Sequence, residues 1–171
     1  MRSGIGPADH LRWLKVPVVQ DLPRVGQNLM DHPLLWLRFA VSTADDVDGK
    51  LRSRALLTLR SSDAVAGHDR HIVSGTIALD DPHLMIFVSS VKPHSRGSVR
   101  LGTSDPDAPP IIDNGFFTHP DDMPRLIHAV RVAEQLAKTP PFSEILHQQS
   151  FPDPKTTKTA REAGAAILSE A

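Results

Sequence analysis

One long amphipathic helix pattern dominates this chain and limits the folds open to it. Between residues 121 and 138, apolar side chains recur at three- and four-residue spacing, so they share one helix face; they are Met123, Leu126, Ile127, Val130, Ala133, Leu136 and Ala137. Comparable periodicity appears again only near 160–171. Because the chain also has 15 prolines against 10 glycines, we expect a sheet with connecting loops plus a few helices.

Runs rich in branched and aromatic residues predict the strands of that sheet. Three are long: Leu34–Val41, Ile72–Leu79 and His83–Val91. The last two flank Asp80-Asp81-Pro82 and are expected to be neighbours. Shorter strands are predicted at 16–19, 98–101 and 111–113, further short helices at 8–15 and 51–60, and a loop at 42–50.

The composition excludes several function classes. The length of 171 residues suggests one domain, with room for a second small lobe. A net charge of −1 gives no reason to expect nucleic acid or an anionic membrane as partner. With no cysteine, disulfides and thiolate zinc sites are excluded. No apolar run approaches a membrane span of ~20 residues, and no signal peptide is visible, so a cytoplasmic location is expected.

Four ordered stretches carry a family resemblance. They are Ser3-Gly4-Ile5-Gly6-Pro7 with His10-Leu11; Asp21-Leu22-Pro23 through Gly26, Asn28, Leu29, Asp31, His32 and Pro33; Pro93, Ser95-Arg96-Gly97, Val99, Leu101, Ser104-Asp105-Pro106, Pro109 and Ile111; and Pro120-Asp121-Asp122 with Arg131. In order and spacing they resemble the glucose–methanol–choline (GMC) flavin oxidoreductases, from the middle of the chain towards the C-terminal, substrate-binding lobe. From the residues alone, most of these positions serve turns and close backbone approaches.

The resemblance implies an α+β fold, a mostly antiparallel sheet with helices packed on one face as in the GMC substrate-binding domain. Residues 1–33 would be a remnant of the FAD-binding lobe and its connection. Residues 34–171 would be the substrate-binding lobe, ending before the strand that carries the catalytic histidine.

The same resemblance implies FAD as cofactor, a small-molecule alcohol as substrate, and a choline dehydrogenase-like flavoprotein that oxidises CH–OH groups. The glycine-rich G-x-G-x-x-G string does not occur here, and none of the nine histidines is assigned as catalytic base. The chain is therefore expected to be a fragment, inactive alone. Two alternatives stay open: a stand-alone module that binds a small ligand, or a truncated product without function.

Three residues are candidates for substrate binding. By resemblance, His32 enters the substrate lobe near the flavin, and Leu34 and Trp36 follow it on a predicted strand. Structural roles compete with this reading, because a single histidine or a strand aromatic is commonly part of the fold. The resemblance implies that choline-oxidising members of the family carry a carboxylate two residues after this histidine. Leu34 occupies that position, which argues against choline and favours an uncharged or apolar alcohol.

A metal site receives little support from the sequence. His68, His71, His83 and His94 can be imagined as ligands, but their spacing matches no zinc motif. No metal is therefore expected.

Overall fold

The computed structural model describes residues 1–41, 53–62, 64, 67–75 and 83–151. The predicted loop at 42–50 and the predicted helix at 160–171 lie outside these residues. The chain divides into two compact units, the first made of residues 1–31 and 93–120 and the second of residues 32–92 and 121–171. The assignment of residues 1–33 to a flavin lobe and of 34–171 to a substrate lobe stays a prediction.

The first unit begins with two short strands and the helix that connects them. Strand β1 (Ile5–Gly6) pairs in parallel with β2 (Gln20–Asp21), and helix α1 (Ala8–Trp13) lies between them in the chain. The strand predicted at 16–19 is wrong. The N–H of Val16 still bonds to the Leu11 carbonyl of the helix end, so extended pairing starts only four residues later.

A three-stranded antiparallel sheet completes the first unit. Its order is β3 (Gln27–Leu29), β8 (Gly97–Arg100) and β9 (Ile111–Asp113). The strands predicted at 98–101 and 111–113 are thus confirmed within one residue. Gly97 is required at this pairing because a Cβ there would overlap the Asp113 carbonyl oxygen.

The second unit is built on a five-stranded antiparallel sheet. Its order is β10-β4-β7-β6-β5. The strands are β4 (Leu34–Val41), β5 (Ser53–Leu59), β6 (Arg70–Gly75), β7 (His83–Ser90) and β10 (Leu146–Phe151). The predictions for β4 and β7 are confirmed, and β6 starts two residues earlier than predicted. β6 and β7 are neighbours, as expected from the sequence.

The helix predicted at 51–60 is wrong, because residues 53–59 of this segment form strand β5. Leu56 and Leu57 lie opposite Val73 and Ile72 of β6. The segment has only weak helical periodicity. The ladder of backbone hydrogen bonds to β6 therefore stabilises the strand over the helix.

Helix α2 (Asp122–Ala137) packs against β7 and β6 of the five-stranded sheet. A one-turn helix, α3 (Phe142–Ile145), leads from it into β10. The core of this unit is formed by alternate strand residues and one helix face; they are Leu35, Leu37, Phe39, Ile72, Ile86 and Val88 with Leu126, Ala129 and Ala133, all buried. Burial of one such side chain stabilises the fold by about 1.5–3 kcal/mol.

The predicted fold class is confirmed: the sheets are mostly antiparallel, and the long helix covers one face. Within the described ranges, no helix is both long and apolar enough to cross a membrane.

Candidate functional site

The face of the five-stranded sheet opposite α2 gathers two rows of side chains. Residues that oppose each other in antiparallel pairs share a face, and side chains alternate along each strand. The first row is Leu34, Ser89, His71 and Thr58, and the second is Trp36, Phe87, Val73 and Leu56. Their strand neighbours form the core under α2, so we name these eight residues the Trp36 face.

The Trp36 face is an apolar wall that the chain covers only in part. Leu34 and Leu56 keep 47% and 55% of their surface exposed, although they lie in the sheet. The Trp36 ring stacks on Phe151 of β10, with centroids 5.9 Å apart and planes inclined by 29°. Such a surface suits the apolar part of a small ligand.

Two polar atoms are placed inside this wall. His71 lies opposite Ser89 across β6 and β7. The His71 Nε2 and the Ser89 Oγ are buried and have no hydrogen-bond partner among the described residues. Each buried polar group without a partner costs about 1–3 kcal/mol, so both atoms gain from a ligand that bonds to them.

His71 favours the neutral imidazole. Burial lowers its pKa below the usual 6.5, and the charges of His68 and His32 lower it further. The His68 ring lies 5.3 Å from the His71 ring, centroid to centroid. A neutral ring offers one donor and one acceptor, which matches a hydroxyl group that also donates and accepts.

The structure brings the three predicted substrate residues to this region. Leu34 and Trp36 occupy the two rows, and His32 is close enough for its charge to act on His71. Sequence reasoning did not find His71 or Ser89 as members of the site. Alternation along β6 would have pointed to His71, but only the pairing of β6 with β7 places Ser89 opposite it.

The metal hypothesis gains no support from the histidines of the second unit. His68 and His71 are neighbours, but His83 contacts the Arg38 side chain, with Nδ1 and Nη2 3.1 Å apart. An arginine nitrogen only donates, so this His83 Nδ1 is an acceptor already engaged. The expectation that no metal is bound stays a prediction.

The glycines near the start of the chain do not form a dinucleotide cradle. The Gly4 carbonyl accepts hydrogen bonds from Val19 and Gln20, and a Cβ at Gly4 would overlap the Pro17 carbonyl oxygen. The Ala8 N–H at the start of α1 donates to Asp21 Oδ1 at 3.0 Å. Since the chain's own groups occupy this turn, the pyrophosphate of FAD does not fit there.

The sequence is similar to a family model and to full-length relatives with the same kind of activity in their names. Residues 93–170 match a family model described as GMC oxidoreductase. The oxygen-dependent choline dehydrogenase of Sinorhizobium fredii is 32% identical over 80% of this chain and 30% of its own length. The FAD- and quinone-dependent glucose dehydrogenase of Drosophila melanogaster is 25% identical, over 83% of this chain and 28% of its own.

A solved structure shows the same fold. The pyridoxine 4-oxidase from Mesorbium loti superposes with a TM-score of 0.77 at 22% identity, covering 97% of this chain and 35% of the oxidase. At this identity the likeness concerns the fold alone. The chain spans only about 30% of the length of the two curated relatives.

Proposed function

The chain belongs to the GMC oxidoreductase family, and from that membership we propose that it supplies the substrate-binding surface of an FAD-dependent oxidoreductase acting on CH–OH groups. The observation that carries the proposal is the Trp36 face. It combines an apolar wall with a polar pair, His71 and Ser89, whose hydrogen-bonding atoms lack partners among the described residues. An alcohol has the same two parts, an apolar body and one hydroxyl.

The polar pair would hold the alcohol hydroxyl. Ser89 Oγ can donate or accept, and neutral His71 can do either at Nε2. A hydroxyl placed between them would satisfy both buried atoms at once. The carbon skeleton would then lie along Trp36 and Phe87, the largest side chains of the second row.

The substrate proposed is uncharged. No residue of the Trp36 face is a carboxylate, and Leu34 occupies the position at which the family resemblance implies one for choline. A quaternary ammonium ion would find no counter-charge in these two rows. A neutral alcohol pays no such desolvation cost.

We propose further that the chain does not oxidise alcohols by itself. Support comes from the turn at Gly4, which the chain's own backbone fills. The FAD would be held by segments other than those described, and the catalytic base would also come from elsewhere.

A second candidate is a stand-alone module that binds a small neutral ligand. The sheet supports it, because its five strands pair in one continuous order and four of them, β4, β7, β6 and β5, supply every residue of the Trp36 face. The two proposals share the ligand site and differ in whether oxidation follows.

Fluorescence of Trp36 tests the ligand site directly. The chain has two tryptophans, so the variant Trp13→Phe leaves Trp36 as the sole reporter. We expect a saturable fluorescence change on titration with cyclohexanol and none with choline. A response to choline as strong as that to cyclohexanol would refute the neutral-alcohol assignment.

Paired serine variants show whether the response comes from the polar pair. In the Trp13→Phe background, Ser89→Ala should weaken cyclohexanol binding about fivefold, the value of roughly one hydrogen bond. Ser98→Ala, on β8 of the first unit, should leave the affinity unchanged. Equal affinities in both variants would show that Ser89 is not part of the site.

A further inference from the structure

A cleft lies on the α2 side of the five-stranded sheet, the side opposite the Trp36 face. Its volume is about 500 Å³, and it is lined by Arg60, Ser61, Ser62, Arg70, Pro124, Arg125 and His128. Arg70 directly precedes His71 on β6, so alternation places its side chain on the α2 side, away from the Trp36 face. The cleft is therefore separate from the proposed alcohol site.

Arg70 is the buried floor of this cleft. Only 3% of its surface is exposed. Its Nη1 donates to the Arg125 carbonyl at 3.4 Å and contacts His128 Nδ1 at 2.7 Å. Its Nε is buried and meets no hydrogen-bond acceptor among the described residues, the nearest carboxylate oxygen being Asp69 Oδ1 at 3.5 Å. The guanidinium is thus fixed in place with donor capacity left over.

The contact with Arg70 sets the tautomer of His128. A guanidinium nitrogen can only donate, so His128 Nδ1 must be the acceptor and carry no proton. In the neutral ring the proton then sits on Nε2. The His128 side chain therefore presents an N–H donor at the cleft wall.

The charge of the lining is positive. Three of the seven residues are arginines, and none is a carboxylate. Of the described carboxylates near the lining, Asp69 accepts the Ser61 N–H at 2.9 Å, and Asp122 is buried one turn before Arg125 on α2.

Asp69 stays ionised in these surroundings. Burial alone would raise its pKa, but the hydrogen bond from the Ser61 N–H and the charges of Arg70 and Arg125 outweigh burial and lower it. The Asp69 carboxylate lies 3.5 Å from Arg70 Nε and offsets the charge of that guanidinium. Arg60 and Ser62 line the exposed rim, and their side chains add donors that a ligand can reach.

We propose that this cleft binds a phosphate group. A tetrahedral oxyanion presents several acceptors and no donor, which matches a lining of guanidinium, imidazole and hydroxyl donors. Arginine is suited to such recognition because its planar fork bonds to two oxygens at once. The Ser61 Oγ is buried and has no hydrogen-bond partner among the described residues, so a phosphate oxygen would supply the missing bond.

Isothermal titration calorimetry of the full chain with inorganic phosphate tests the site. Arg70 is buried, and its replacement would endanger the fold, so the test variant is Arg60→Gln at the rim. We expect phosphate to bind and Arg60→Gln to weaken it about tenfold, because a charged hydrogen bond is lost. Arg131→Gln, a matched change at an exposed α2 position outside the lining, should leave the affinity unchanged.

Three results would overturn the proposal. One is the absence of phosphate binding to a chain shown to be folded by circular dichroism. Another is equal weakening by Arg60→Gln and Arg131→Gln, which would indicate general charge attraction. Acetate must bind at least tenfold more weakly than phosphate, since a carboxylate with equal affinity would contradict recognition of a tetrahedral anion.

The source of the phosphate can be read from a parallel titration. If methyl phosphate binds with the same affinity as inorganic phosphate, the bound group is identified as part of a phosphomonoester. If methyl phosphate does not bind, the ligand is identified as free phosphate. The variant Trp36→Phe should bind phosphate normally, because Trp36 lies on the opposite face. This last control separates the phosphate cleft from the alcohol site.

Discussion

His71 of β6 lies directly opposite Ser89 of β7, and each turns a buried, unpartnered polar atom towards the same face of the sheet. In most sheets such an arrangement would be replaced by apolar side chains, because unpartnered polar groups reduce stability. The proposed site for a hydroxyl-bearing ligand would give both polar atoms a partner within this otherwise apolar wall.

Removal of the Ser89 hydroxyl should not destabilise the protein. We expect Ser89→Ala to leave the free energy of unfolding unchanged or to raise it by up to about 1 kcal/mol, since a buried unpartnered group is removed. Urea unfolding measures the change. The matched control is Ser95→Ala: Ser95 is equally buried, but its Oγ accepts the His119 N–H at 3.0 Å, so about 1–2 kcal/mol should be lost. Equal losses in the two variants would contradict the account of Ser89.

Stability should fall as the pH drops below 6.5. The pKa of His71 is lower in the folded chain than its ordinary value of 6.5, so the unfolded chain binds more protons between these two values. The contribution of His71 is complete above 6.5 and is lost as the pH falls through the folded pKa. Asp69 acts in the same direction but only below 3.8. Urea unfolding between pH 6.5 and lower pH should show that His71→Gln loses less free energy of unfolding than the unchanged protein. An identical loss in the two proteins would contradict the role of His71.

The stack between Trp36 and Phe151 should couple β10 to β4. We expect a double-mutant cycle with Trp36→Leu and Phe151→Leu to give a coupling free energy of about 0.5–1.5 kcal/mol. Chemical unfolding of the four proteins provides the values. Additive effects would mean that the two rings do not stack in solution.

Gly97 should be among the least replaceable residues of the first unit. Its Cβ would overlap the Asp113 carbonyl oxygen at the β8–β9 pairing, so we expect Gly97→Ala to cost about 1–3 kcal/mol. Gly102→Ala is the control, because a Cβ there would meet only side-chain atoms of Ile111 at 3.3 Å, which can shift. Thermal unfolding should separate the two variants, and equal melting temperatures would contradict the close approach.

Local sequence patterns predicted much of this fold. The apolar periodicity of α2 and the β-rich runs of β4 and β7 were sufficient, because each segment carries its own pattern. The helix predicted at 51–60 is not formed, because pairing with β6 makes residues 53–59 a strand against their own local preference.

The candidate site was predictable only in part. That Leu34 and Trp36 share one face of β4 follows from alternation along that strand, while their role in substrate binding stays a prediction. The pairing of His71 with Ser89 depends on the register between two strands, which no local pattern fixes. The phosphate cleft depends on contacts between Arg70 and a helix more than 50 residues later in the chain.

The most direct measurement is the flavin absorbance that remains with the folded 171-residue chain after incubation with FAD and gel filtration. We expect no bound flavin and no alcohol oxidation, while circular dichroism shows a folded chain and cyclohexanol still binds. Stoichiometric flavin on the folded chain would contradict the proposal that this chain carries the substrate surface and other segments hold the cofactor.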